Sequence, residues 1–392
     1  SEILQGKIQD KNTLYLAKFL YEHGHKLIGS LIVDDSDESI LSALSEVKDK
    51  SDYVILCGGM GPTLDDITKD CVARYFAKEK KEDLKALAII QKQYERMNRD
   101  YPLTHAYHII PQDFEALYNP VGYAPGLRYQ NYFLFPGVPS EFQGMVQTYL
   151  TMKSGHDQKL FTAKTFGIAE SIIFNSLMPN LWERLLGWGT PSSLPHGVGV
   201  DIGVLLEGNT SQKEEELISF FNESVLHDHI VAFGHDPIEK HVIEKLKEKK
   251  MTLALAESCS GGLIADKLTN IPGSSEFLMG SLVTYNLSAK NLLLGLDQNF
   301  FQNNLIVSTQ TALEMARAAK NKLNSDIGLG ITGIAGPSGD GSSKKIGDFS
   351  LAIVTDQKEY VTNHNLKGTR LELKEKFSSF ALYELQKLLN SL

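Results

Sequence analysis

Apolar residues recur at helical spacing over 12–22 (Leu14, Leu16, Ala17, Phe19, Leu20), and Gly24 follows where a helix C-cap would stand. The pattern then changes to a strand-like run over 27–33 and returns to helical spacing over 37–47. It next shortens to an apolar run over 53–57 that stops on Gly58-Gly59. Short unbroken apolar runs between amphipathic helices predict parallel strands covered by helices. A charged helix over 78–100, a strand over 132–135 and a helix opening at Ser140-Glu141 complete this first block.

The polar stretch Lys153-Ser154-Gly155-His156-Asp157 reads as a linker. Beyond it come a strand, a helix carrying Ile172, Leu177 and Leu181, a strand over 198–206 and a helix over 213–225. A charged helix over 238–250 then enters an apolar strand over 251–256. Alternation resumes with a helix from Gly261, a strand over 282–285, helices over 289–294 and 309–323, strands over 327–332 and 349–354, and a closing helix from Leu371. The predicted class is α/β: two three-layer domains with parallel-rich sheets, 1–152 and 237–392, joined by a small α+β connector over 153–236.

Composition narrows the function classes. A chain of 392 residues exceeds what one core organises, and 42% hydrophobic with 22% charged residues is a folding composition. A net charge of −9 argues against a broad nucleic-acid surface, since phosphate binding draws on Lys and Arg, but leaves room for a local anion pocket. Three scattered cysteines, Cys57, Cys71 and Cys259, suit a reducing cytoplasm rather than a disulfide framework. No apolar run reaches the roughly 18 to 20 residues of a membrane span, and no basic-then-apolar leader opens the chain. A cytoplasmic protein without membrane partners is expected.

Two segments carry chemistry. Ser258 and Ser260 lie between the strand over 251–256 and a helix opening with Gly261-Gly262, where free amides can hold an oxyanion or a phosphate. A serine needs a base to attack an amide, and a desolvated lysine supplies one. Lys290, with Tyr285, sits where a strand passes into a helix. The bland alternatives are a serine helix cap and a solvated lysine. The loop Thr332-Gly333-Ile334-Ala335-Gly336-Pro337 is either a second phosphate-approaching loop or a tight turn, and Cys259 reads as a buried, inert thiol. Nearer the N-terminus, Gly58, Gly59, Gly61 and Thr63 precede Asp65-Asp66. That arrangement suits a diphosphate with a hard cation such as Mg²⁺ as well as it suits an acidic helix start.

The runs AESCSGGLIADKLTNIPGSSEFLMGSLVTYN, SAKNLLLG and GITGIAGPSGDGSSKKIGD resemble the C-terminal domain of the CinA family, also found alone as the nicotinamide mononucleotide deamidase PncC. The resemblance implies hydrolysis of the nicotinamide amide to nicotinic acid mononucleotide and ammonia, without a cofactor. Ser258 would be nucleophile, Lys290 base, Tyr285 an assistant and Arg370 of Gly368-Thr369-Arg370 the anion contact. Ser260, where the family usually has Thr, together with Gly261, Gly262, Thr332, Gly333, Ala335 and Gly336, would line the substrate. The amides of Gly261 and Gly262 would form the oxyanion hole.

The segment 58–68, with Asn119-Pro120-Val121-Gly122 and Pro136-Gly137-Val138-Pro139-Ser140-Glu141, resembles the CinA N-terminal domain of molybdopterin-binding fold. That implies a metal-dependent ADP-ribose pyrophosphatase, with Gly58, Gly59, Gly61, Thr63 and Asn119 at the phosphates and Asp65 and Asp66 on Mg²⁺ or Co²⁺. Two departures bear on it. The chain opens at Ser1-Glu2, where the family has a preceding strand, so a central strand is expected to be missing. Thr104-His105-Ala106 replaces a Lys-Gln-Ala segment, removing a phosphate-contacting lysine. The middle region, with Thr165-Phe166-Gly167-Ile168-Ala169-Glu170-Ser171, resembles the family's KH-like connector but lacks a GXXG loop, and Gly203 stands where Arg is common. It reads as a spacer or dimerisation element, so a homodimer acting on small nucleotides is expected. The rival readings are a molybdopterin-handling protein and an accessory factor of DNA uptake.

Overall fold

Side-chain caps set many of the helix starts: Asp10 accepts from the Thr13 amide to open Lys11–Glu22, Ser36 from Ser39 to open Asp37–Val47, and Ser308 from Thr311 to open Thr309–Leu323. The computed structural model describes residues 2–23, 25–150, 158–339 and 341–392. The expected cap Gly24 and linker 153–157 lie outside these. The chain divides into two compact units, Ser1–Lys159 and Leu160–Leu392.

In the first unit, Val54–Cys57 pairs parallel with Tyr132–Phe135, and Gly126–Tyr129 and Glu115–Leu117 continue the sheet antiparallel. The strand expected over 27–33 does not form. Its residues join no ladder and leave Ile28, Leu31 and Ile32 exposed. β-type composition does not make a strand without a neighbouring edge to bond, and Val54–Cys57, at the sheet margin, pairs only with Tyr132–Phe135 among the described residues. The helix expected over 78–100 shortens to Leu84–Arg96, because Lys80–Glu82 pairs with Ile109–Pro111 instead.

The second unit holds two sheets. The smaller runs Ile230–Phe233, Gln158–Thr165, Gly199–Glu207, Gly189–His196. The larger runs Leu278–Val283, Leu253–Glu257, Ile327–Gly333, Asp348–Val354, Glu359–Asn365; it is parallel across the first three strands and antiparallel across the rest. Register places Val283 and Ile331 on either side of Glu257, so three parallel strands end level with one another. The closing helix Arg370–Ser391 covers this sheet. Its Phe377, Phe380 and Leu385 share one core with Leu255, Leu329 and Phe349, with Val231 from the smaller sheet, and with Phe166 and Val198 from the connections between its strands. The connector region is therefore packed into the same core as the larger sheet. Among the described residues, no helix is long and apolar enough to cross a membrane.

Candidate active site

Every residue of Leu253–Glu257 is buried, and the chain turns sharply as it leaves this central strand. The Ser258 amide donates to the Ile331 carbonyl (3.1 Å), and the Gly261 amide donates back to the Ser258 carbonyl (3.1 Å). Gly261 and Gly262 have φ of +65° and +94°, conformations that strain any residue with a Cβ. Gly262 is the N-cap of Leu263–Thr269, so Ser258 is not a helix cap and its hydroxyl is available for other work.

That hydroxyl lies 2.8 Å from Lys290 Nζ. Asn286 caps the helix Leu287–Leu294 by accepting from the Ala289 amide, which turns Lys290 inward, where it is 1% exposed. Its ammonium also donates to the Thr284 carbonyl at 2.6 Å. Both partners are neutral, so burial is not offset by an opposing charge, and the lysine falls from its usual 10.5 to about 8. The solvated-lysine alternative does not survive this geometry.

Glu257, fully buried, has no partner cation among the described residues. Its carboxylate accepts from the Ser260 hydroxyl (2.7 Å), the Ile264 and Ala265 amides (3.0 Å each) and the Ser281 hydroxyl (2.9 Å), tying the turn to the helix and to the edge strand. Ser260, expected against the substrate, is thus corrected to a support of Glu257. The Gly261 amide, expected in an oxyanion hole, is committed to Ser258, which leaves the Gly262 amide of that pair. Burial pushes the Cys259 thiol up to about 12, in keeping with an inert packing residue.

Across the opening, Tyr285 is exposed and its hydroxyl accepts from Arg370, whose other terminal nitrogen donates to the Gly336 carbonyl. The second glycine-rich loop supplies fewer contacts than expected. The Thr332 hydroxyl is buried on the Ile306 carbonyl (3.0 Å), Ala335 lies in the core, and Gly333 is pressed against Phe349 and the Cys259 sulfur. These three are corrected from substrate lining to packing. The structure therefore brings Ser258 to Lys290 and Tyr285 to Arg370.

In the first unit, Gly58 and Gly59 follow the strand Val54–Cys57 with φ of +97° and +65°. Thr63 donates its amide and hydroxyl to Asp66, whose carboxylate closes over Gly61. Asp65 is solvent-facing, and the polar Thr63 side chain beside it holds its carboxyl below the usual range. Among the described residues, no three His, Cys, Asp or Glu side chains converge on a point that would hold a metal. Asp65 and Asp66 suit a hard cation only where substrate oxygens complete the shell. Asn119, expected at phosphate, is corrected. It is fully buried, donates to Ala124 O and Glu141 Oε2, and accepts from the Val121 and Gly122 amides. Sequence reasoning also missed Lys69, whose half-buried ammonium donates to the carbonyl of Ala106, in the segment that lacks the expected lysine.

Fold and site define a two-unit α/β protein with a buried serine–lysine pair at the carboxyl end of parallel strands. The family described as "CinA C-terminal domain" matches residues 235–389, and that described as "Probable molybdopterin binding domain" matches residues 1–154. A "CinA-like protein" of Chloroherpeton thalassium is 32% identical over 410 residues, covering 100% of this chain and 97% of its own. A "CinA-like protein" of Kosmotoga olearia is 31% identical over 398 residues, covering 97% and 95%. A solved competence or damage-inducible protein from Enterobacter asburiae is 29% identical, covers 39% of this chain and 96% of its own, and superposes with a TM-score of 0.38. The chain belongs to the CinA family.

Proposed function

We propose that the second unit hydrolyses the amide of nicotinamide mononucleotide, giving nicotinic acid mononucleotide and ammonia. The observation that carries this reading is the 2.8 Å contact between Lys290 Nζ and Ser258 Oγ, with both groups buried and the lysine near 8. With the amine neutral, the Ser258 hydroxyl donates along this contact. As Oγ attacks the amide carbon, its proton passes to Nζ. Collapse of the tetrahedral adduct breaks the C–N bond while the Lys290 ammonium returns the proton to the departing nitrogen, releasing ammonia. Water, deprotonated by Lys290, then cleaves the Ser258 ester and frees the acid. Arg370, exposed beside the opening, is the anion contact in this reading.

The test is ammonia release from nicotinamide mononucleotide by the purified chain and by Ser258→Ala and Lys290→Ala. Loss of at least about 10³-fold in both variants is expected. An inactive wild type, or full rate in both variants, overturns the reading.

A second activity, metal-dependent hydrolysis of the ADP-ribose diphosphate, is favoured by the left-handed pair Gly58-Gly59 at the end of a strand and by the Asp66 carboxylate lying over Gly61 two residues on. Asp65 and Asp66 would hold a divalent cation that neutralises diphosphate charge. Release of AMP and ribose 5-phosphate, lost in Asp65→Ala with Mg²⁺ or Co²⁺ present, is the expected result. Equal release by wild type and variant sinks it.

A further inference from the structure

The turn that presents Ser258 has a cationic neighbour that no family motif quoted above assigns. A Cβ built on Gly261 would lie 3.4 Å from Lys374 Nζ and 3.6 Å from its Cε, with no other atom near. Lys374 thus lays its ammonium over the glycine turn. It stands one helical turn beyond Arg370 on the closing helix, so the two cations share a face.

The acidic groups around Lys374 are committed elsewhere. Glu372 accepts from the Thr369 amide in a capping box, Glu375 pairs with Lys267, and Glu257 is buried beneath four donors. Among the described residues, Lys374 has no ion pair. An unpaired lysine and an arginine therefore flank the mouth of the serine–lysine pair in a chain whose net charge is −9.

We propose that Lys374 is a specificity-determining residue that grips a phosphate monoester carried by the amide substrate, opposite Arg370, so that the site selects the phosphorylated nucleotide amide over its dephosphorylated riboside. The inference rests on the amidase reading of Ser258 and Lys290 and adds to it the source of the anion preference. A charge-assisted hydrogen bond of this kind sets a preference of roughly tenfold to a hundredfold.

The test compares kcat and KM of the full chain for nicotinamide mononucleotide and nicotinamide riboside, in wild type, Lys374→Ala and Lys374→Arg. In Lys374→Ala the mononucleotide-over-riboside ratio of kcat/KM should fall about tenfold or more, chiefly through KM for the mononucleotide, and Lys374→Arg should restore most of it. An unchanged ratio, or an equal loss on both substrates, overturns the proposal. Calorimetric binding of ribose 5-phosphate to the same proteins separates the two failures. If the wild type releases no ammonia, the amidase reading falls, while weaker binding by Lys374→Ala still supports the subsite and equal binding removes it.

Discussion

Lys290 gives the sharpest quantitative consequence of this site, because burial is the main cause that lowers its basicity. If the free amine is the general base, kcat/KM for ammonia release follows the deprotonated fraction of a group titrating near 8. About one-tenth of the protein is then active at pH 7, half at pH 8 and about nine-tenths at pH 9, so the rate rises about tenfold from pH 7 to 9 and levels off. A lysine left at its ordinary 10.5 would instead give a rise of about a hundredfold over that interval, with no plateau before pH 10. The assay is initial ammonia release under subsaturating nicotinamide mononucleotide from pH 6 to 10, with circular dichroism at each pH to show that the fold persists. A plateau beginning near pH 9 is expected. A rate still climbing tenfold per pH unit at pH 9.5, or one flat from pH 6.5, would refute the claim that a buried, uncompensated Lys290 is the base.

The same burial predicts a stability slope. The unfolded chain keeps the lysine proton up to about 10.5 and the fold only up to about 8, so between those values the unfolded state binds more protons and stability rises with pH. The gap amounts to about 3 kcal/mol, at about 1.4 kcal/mol per pH unit. Urea unfolding at pH 7.5 and 10 should show wild type gaining relative to Lys290→Met, and parallel behaviour of the two proteins would count against it. Ser260→Ala should keep most of the hydrolytic rate while lowering stability by about 2 kcal/mol, because it strips one donor from a buried carboxylate; thermal unfolding beside the ammonia assay checks both halves. Cys259, with its thiol pushed up to about 12, should resist iodoacetamide at pH 8 in the native protein and react on unfolding, as peptide mapping by mass spectrometry will show.

The helices and the apolar strands were legible because their signals are local. Asp37–Val47 and Thr309–Leu323 fall where the apolar spacing puts them, as does the strand Tyr132–Phe135. What stayed hidden depends on partners. Gly189–His196 carries two prolines and little apolar character, yet becomes a strand because Gly199–Glu207 offers a full ladder. The run over 27–33 has strand composition and no ladder at all. At the site, the pairing of Ser258 with Lys290 could be expected from motif position, but the roles of Ser260, Thr332 and Asn119 could not. Each is a polar residue in a glycine-rich loop, and whether its hydrogen bonds face inward or toward a ligand is decided only when the loop closes. Lys374 left no trace because its meaning lies in contact with Gly261, more than a hundred residues away.

On the amidase reading, the least obvious requirement of the site is an acid beside the nucleophile that does not disturb the base. A carboxylate facing Lys290 would favour the ammonium, raise its pKa and silence it at neutral pH. Glu257 avoids this through where its carboxyl is bonded, on the helix Leu263–Thr269 and the edge strand Leu278–Val283 rather than at Lys290. There, two helix amides and the hydroxyls of Ser260 and Ser281 receive it. Its charge is held by the fold itself, with no cation needed, and its four bonds fix the turn on which Ser258 rides. The lysine, with only the neutral oxygens of Ser258 and Thr284 for company, keeps the full effect of burial. On the amidase reading, keeping the donor-saturated Glu257 carboxyl apart from a lysine left without an opposing charge is what would allow a serine to be activated here without histidine.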